Sequence, residues 1–128
     1  SGTPFKAGGL ALVVDDEPEI REVAVAMLEH LGFECLQAAD GVEALERVRT
    51  RGGELRLVLL DLSMPKLDGR ETFHAIRALR PGLKVILSSG FDLQEAARDI
   101  VGQGLAGFLQ KPYLLESLRE SVRNVLTD

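Results

Sequence analysis

Five short apolar runs alternating with helical patterns constrain this chain more than any other feature. LALVVD (10–15), LRLVLLD (55–61) and KVILSS (84–89) are nearly continuous Val/Leu/Ile segments that end in polar residues. Runs of this length suit strands buried on both faces, as in a parallel sheet. FECLQA (33–38) and GFLQK (107–111) alternate more weakly, which places them nearer the sheet edges. Between the runs, apolar residues recur at helical spacing. Ile20, Val23, Ala24, Met27, Leu28 and Leu31 form one stripe, and Val42, Leu45 and Val48 a second. Phe73, Ile76 and Leu79 form a third, and Leu93, Ala96, Ala97, Ile100 and Val101 a fourth. Leu115, Leu118, Val122 and Val125 form the last. Pro18 is tolerated at a helix start, Gly32 reads as a helix stop, and Pro81-Gly82 ends the third stripe.

The pattern reads βαβαβαβαβα. Parallel strands joined by right-handed helical crossovers give an α/β sandwich with helices on both faces. A closed eight-unit barrel needs roughly 250 residues. The 128 residues present therefore favour an open, doubly wound sheet in one domain. In such sheets ligands bind beyond the carboxyl ends of the strands, where the strand order reverses.

That rule selects particular residues. Asp15 and Asp16 follow the first strand, Asp61 ends the third, Ser88 and Ser89 end the fourth, and Lys111 ends the fifth. A lone strand-terminal Asp is usually a cap or turn former. Acids, hydroxyls and an ammonium at corresponding strand ends are harder to explain that way. Three carboxylates within reach of one another repel unless a hard divalent cation joins them, and Mg2+ prefers such oxygen ligands. One carboxylate is then a candidate nucleophile toward phosphorus. Lys111 and Ser89 are candidates to hold phosphoryl oxygens, since phosphoryl transfer chiefly needs positioning and charge neutralisation.

The net charge of −5 argues against direct binding to nucleic acid. No apolar stretch approaches the roughly 20 residues of a spanning helix, so no membrane contact is expected. The start, SGTPFKAGG, has no apolar core of a signal peptide, and residues 1–9 read as a linker or an expression scar. The single cysteine, Cys35, excludes an internal disulfide and fits a reducing cytosol, hence a cytoplasmic location.

DDE after the first strand, DLSMPKLDG after the third, SSGF after the fourth and FLQKP at the fifth resemble response-regulator receiver domains. These CheY-like modules accept phosphate in two-component signalling. The resemblance covers about residues 10 to 126, and residues 10–128 are assigned to the receiver domain. It implies a flavodoxin-like (βα)5 fold with parallel strand order 2-1-3-4-5. It further implies that Asp61 is the phosphoacceptor and that Asp15, Asp16 and the Ser63 backbone carbonyl join it in holding Mg2+, with Mn2+ as a substitute. Ser89 matches the switch hydroxyl, with Ser88 as the competing candidate. Phe108 matches the aromatic switch position, and Lys111 matches the phosphate-binding lysine, with a cis bond to Pro112. Met64-Pro65 and Gly69 would shape the loop beyond the acceptor.

The implied donor is a histidine kinase or a histidine phosphotransfer protein. The implied output is a changed surface on the fourth helix, fifth strand and fifth helix, open to a second copy of the chain. Only weak self-phosphorylation and autodephosphorylation are implied, so the domain is not an enzyme in the ordinary sense. SSGF and GFLQKPY are also similar to receivers attached to hybrid sensor histidine kinases, which leaves open a stand-alone regulator or a piece of a longer protein.

Other residues read more plainly. Asp68 is expected to cap the third helix, and Glu17 is either a metal-water contact or solvated first-turn charge. His30 and His74 are expected to have surface or packing roles. Phe91 is expected to shield the acyl phosphate from water. Three rival classes fit less well. A pseudo-receiver usually lacks one of the acids or the lysine. A flavodoxin-like cofactor protein needs a phosphate loop where DDE stands. A haloacid-dehalogenase-like phosphatase carries its nucleophile in D-x-D after the first strand.

Overall fold

The computed structural model describes residues 8–62, 69–90 and 107–126. The strands are β1 (Gly9–Val14), β2 (Phe33–Ala38), β3 (Leu55–Asp61), β4 (Lys84–Ser89) and β5 (Gly107–Gln110). The described helices are α1 (Pro18–His30), α2 (Gly41–Arg51), α3 (Gly69–Leu79) and α4 (Leu115–Leu126). The fourth apolar stripe, at 93–101, lies outside the described residues, as do Ser63, Met64, Pro65, Asp68 and Phe91.

All four strand pairings are parallel, in the order β2-β1-β3-β4-β5. The strongest apolar runs became the interior strands, and the weakly alternating FECLQA and GFLQ became the edges. An interior strand with helices on both faces has no solvent side, so apolar residues are favoured at successive positions. In β1, Leu10, Leu12 and Val14 pack on one face while Ala11 and Val13 pack on the other. In β3, Val58 and Leu60 alternate in the same way with Leu57 and Leu59. The first face is closed by Ala44 and Val48 of α2 with Phe73 and Ile76 of α3. The second is closed by Ala24 and Leu28 of α1 with Leu118, Val122 and Val125 of α4.

Helix ends follow local chemistry. Pro18 occupies the first turn of α1, where a missing N–H costs no intrahelical bond. Gly32 follows α1 at φ 107°, a left-handed conformation that glycine adopts without a Cβ penalty. Asp40 caps α2 by accepting from the Glu43 N–H at 2.9 Å, while Glu43 Oε1 accepts from the Ala39 N–H at 2.9 Å. The side chains thus satisfy donors on either side of the helix start. At Gly69, a Cβ would stand 2.6 Å from the Asp61 carbonyl oxygen and collide with the Leu62 backbone. Glycine therefore lets the start of α3 close against the end of β3.

Three residues of the expected stripes are corrected. Val23, Val42 and Leu79 are 48%, 61% and 41% exposed. The buried face of α1 is narrower than its apolar spacing, centred on Ala24 and Leu28. In α2 the small residues Gly41 and Ala44 face the interior instead of Val42. In α3 Thr72 is buried, and Leu79 lies in the last turn beyond Ile76.

Candidate functional site

The carboxyl ends of β1, β3, β4 and β5 bring the charged residues together. Asp15 extends the β1–β2 pairing by donating its N–H to the Ala38 carbonyl at 3.1 Å. Its Oδ1 accepts from the Glu17 N–H at 2.9 Å, folding the acidic stretch into an Asx turn ahead of α1. Arg21, one turn into α1, reaches back to fix that turn. Its Nη1 donates to the Asp15 carbonyl at 2.8 Å and its Nε to Gln37 Oε1 at 2.9 Å. Asp61 stands opposite Ser88 in the β3–β4 register, and the next N–H, of Leu62, donates to the Ser88 carbonyl at 2.9 Å. Lys111 donates its N–H to the Ser89 carbonyl at 3.0 Å, continuing the β4–β5 ladder, and its bond to Pro112 is cis.

Backbone bonds thus bring Asp15, Asp61 and Lys111 to one point, with Asp16 beside them. Lys111 Nζ lies 2.8 Å from Asp15 Oδ2 and 3.3 Å from Asp61 Oδ2. Both carboxylates are buried, with side chains 1% and 2% exposed. Asp16 is the most accessible of the three acids, and one carboxylate oxygen from each of Asp15, Asp16 and Asp61 lies within 4.8 Å of the others. Burial alone would lower the Lys111 pKa. The bond to Asp15 and the charges of Asp61 and Asp15 outweigh it and hold the ammonium above its ordinary range.

The donor set fits a hard divalent cation. Three carboxylates and one ammonium leave two formal negative charges, which one Mg2+ would balance. Asp15 Oδ2 is buried and is met by the Lys111 ammonium at 2.8 Å. A carboxylate oxygen carries two lone pairs, so one contact with Lys111 leaves capacity for a further ligand.

The hydroxyls divide. Ser88 Oγ and Tyr113 OH share a buried hydrogen bond of 2.9 Å. Ser89 is also buried, at the end of β4, and its carbonyl receives the Lys111 N–H. Tyr113 is held at a pKa of about 12, chiefly by burial. Phe108 lies on edge strand β5 and is 38% exposed. His30 and His74 are both exposed, and the His74 ring meets Phe73 edge-on at 5.5 Å. Cys35 is half-buried, and burial followed by the nearby Glu29 charge raises its thiol to about 11. That environment keeps the thiol protonated and unreactive.

Sequence reasoning brought Asp15, Asp16, Asp61, Ser89 and Lys111 to this end of the sheet. It missed Arg21 and Tyr113. The single available signal for Tyr113 was a polar aromatic just after Lys-Pro, and Arg21 was visible only as a basic residue in an acidic first turn.

The family model for the response regulator receiver domain matches residues 11–123. The chain belongs to the response regulator receiver domain family. Receiver domains are the phosphoacceptor modules of two-component signalling, and this one is a signalling domain of that kind. The receiver domain is 35% identical over 124 residues to the sensor kinase CckA of Brucella abortus, covering 97% of the present chain and 13% of that kinase. It thus spans a small part of that relative's length. Its structure is similar to Borrelia burgdorferi CheY in a CheX-CheY-BeF3-Mg2+ complex, with a TM-score of 0.87 and 26% identity over 99% of this chain and 92% of the other. It also resembles Thermotoga maritima TrrA in complex with Mg2+ and beryllium fluoride, with a TM-score of 0.81 and 32% identity over 91% and 98% of the two chains. Among the described residues of the receiver domain, no helix is long and apolar enough to cross a membrane.

Proposed function

We propose that Asp61 is the phosphoacceptor of this receiver domain and that its donor is a phosphohistidine on a histidine kinase or phosphotransfer protein. The observation that carries this reading is the Lys111 ammonium, held 2.8 Å from Asp15 and 3.3 Å from Asp61 at the carboxyl end of the sheet. A carboxylate oxygen of Asp61 attacks phosphorus, an O–P bond forms and the N–P bond breaks. The leaving imidazole nitrogen keeps the electron pair and takes a proton from solvent. Mg2+, or Mn2+ in its place, held by Asp15, Asp16, Asp61 and the Ser63 carbonyl, would supply positive charge against the phosphoryl oxygens.

The chain's own residues do the rest. Lys111 turns from Asp61 to the incoming phosphoryl group and neutralises part of its charge. Ser89 donates its hydroxyl to a phosphoryl oxygen. It is preferred to Ser88 because Gly90 follows it, matching the small residue that follows the switch hydroxyl in receiver domains. Movement of Ser89 frees space into which Phe108 turns from its outward position, and the surface around β5 and α4 changes partner preference. This is a population shift biased by one new local charge.

The receiver unit starts at Gly9, the first residue of β1, one residue before the expected boundary; the residues ahead of it are a linker or an expression scar, and the location is cytoplasmic. Similarity to CckA supports placement within a hybrid sensor kinase, with kinase domains on the same polypeptide. Autophosphorylation from small phosphodonors and autodephosphorylation are slow side reactions. Acetyl phosphate with Mg2+ tests the acceptor assignment. The wild-type chain should gain one phosphoryl group, and Asp61→Asn should gain none. Full labelling of Asp61→Asn would overturn the assignment.

A further inference from the structure

Lys111 can act only if a long, flexible side chain is brought to one place, and the structure shows two anchors that bracket it. One is the bond from its own N–H to the Ser89 carbonyl at 3.0 Å. The second lies two residues further on, where the Tyr113 hydroxyl meets Ser88 Oγ at 2.9 Å. Both anchors end on the same dipeptide of β4. Ser88 is also tied to the acceptor, since it pairs with Asp61 in register and its carbonyl accepts the Leu62 N–H. The two segments that carry Asp61 and Lys111 are therefore fastened to a single residue.

The hydroxyl of Tyr113 is not needed to fill space. Its ring packs in the apolar layer with Ile86, Leu109 and Leu118, where a phenylalanine ring would pack equally well. Burying two hydroxyls in that layer costs desolvation, which the hydrogen bond between them offsets in part. The bond also sits immediately before α4, which begins at Leu115.

We propose that the Ser88–Tyr113 hydrogen bond is a positioning element for phosphotransfer, fixing the Lys111 segment against β4 so that Lys111 Nζ is held over Asp15 and Asp61. Ser88 and Tyr113 are positioning residues that act through Lys111. This role rests on the reading of Asp61 as phosphoacceptor.

Phosphorylation by acetyl phosphate, followed against Mg2+ concentration, tests it. Tyr113→Phe and Ser88→Ala should each lower the maximal rate about two- to tenfold, the range spanned by one net hydrogen bond. The Mg2+ concentration at half-saturation should stay unchanged, because neither residue reaches the cation. Ser88→Thr, which keeps the hydroxyl, should retain the wild-type rate. Ser88→Ala combined with Tyr113→Phe should be no slower than the worse single variant, since only one bond is lost. In a Lys111→Ala background, Tyr113→Phe should cause no further loss. Hydrogen exchange of the Lys111 amide, read without any phosphodonor, should quicken in both single variants. Wild-type rate and exchange in Tyr113→Phe, multiplying losses in the double variant, or an undiminished loss in the Lys111→Ala background would each overturn the role. A wild-type chain that takes no phosphate overturns the acceptor reading and this role together. A labelled wild type with an unaffected Tyr113→Phe overturns this role alone.

Discussion

At the amino end of the sheet, Arg51 Nε lies 2.6 Å from Glu54 Oε2, with the two side chains 44% and 61% exposed. At the carboxyl end, Lys111 Nζ lies 2.8 Å from Asp15 Oδ2, with side chains 12% and 1% exposed. The distances are nearly the same, but the surroundings are not. Water solvates the first pair whether or not it forms, so the contact adds little to stability. The second pair has surrendered its hydration, and each charge there depends on the others. Charge at the amino end merely decorates a turn. Charge at the carboxyl end is a cluster the fold maintains at a cost.

Removing one cation from each end is the sharpest way to break that comparison, and the buried end should respond most. Lys111→Met, unfolded by urea in the presence of a chelator, should lose about 3 kcal/mol, because Asp15 and Asp61 are left buried without a counter-charge. A loss no larger than that of an exposed pair would mean the cluster is solvated after all.

The next effect is the response to metal. Mg2+ at tenfold its dissociation constant should stabilise the wild-type chain by about 1.4 kcal/mol by mass action. Asp16→Asn should raise the melting temperature without metal, by relieving repulsion, and should shrink the Mg2+ response. An undiminished response would remove Asp16 from the metal set.

A smaller effect appears at alkaline pH. The native Tyr113 titrates at about 12, whereas an exposed phenol titrates near 10. Below the lower value this contribution to stability is fully present. As pH rises between the two, the unfolded chain releases its proton first and the contribution is lost. Lys111 and Cys35, both raised, act in the same direction. Tyr113→Phe should flatten part of the alkaline decline. The chain has a single tyrosine and no tryptophan, so ultraviolet absorbance reads this ionisation directly. A native midpoint near 10 would contradict the burial of the hydroxyl. The smallest effect is Arg51→Ala, for which the melting temperature should not move measurably.

The same contrast explains what was legible in the sequence. Strand positions and edges were readable because a strand buried on both faces carries an uninterrupted apolar run, as in Leu57 to Leu60. Asp15 and Asp61 were readable because each directly follows such a run, Asp16 because it adjoins Asp15, and Lys111 because it ends the weaker segment GFLQK. Val42 misled because helical spacing counts apolar residues but not the small ones, and Gly41 and Ala44 took the interior face. Ser88–Tyr113 and Arg21–Gln37 were invisible because they join residues 25 and 16 positions apart through strand register, which no local spacing encodes. The expectation for Ser63 as a carbonyl ligand lies outside the described residues.

The chemistry of this site turns on which residue carries the phosphoryl group. Acyl phosphates are reduced by borohydride to the corresponding alcohol, so the acceptor aspartate is converted to homoserine and found by peptide mass mapping. After treatment with acetyl phosphate and Mg2+, the change should fall on Asp61 alone, with Asp15 and Asp16 untouched. Reduction at Asp15, Asp16 or any residue away from this end of the sheet would contradict the account.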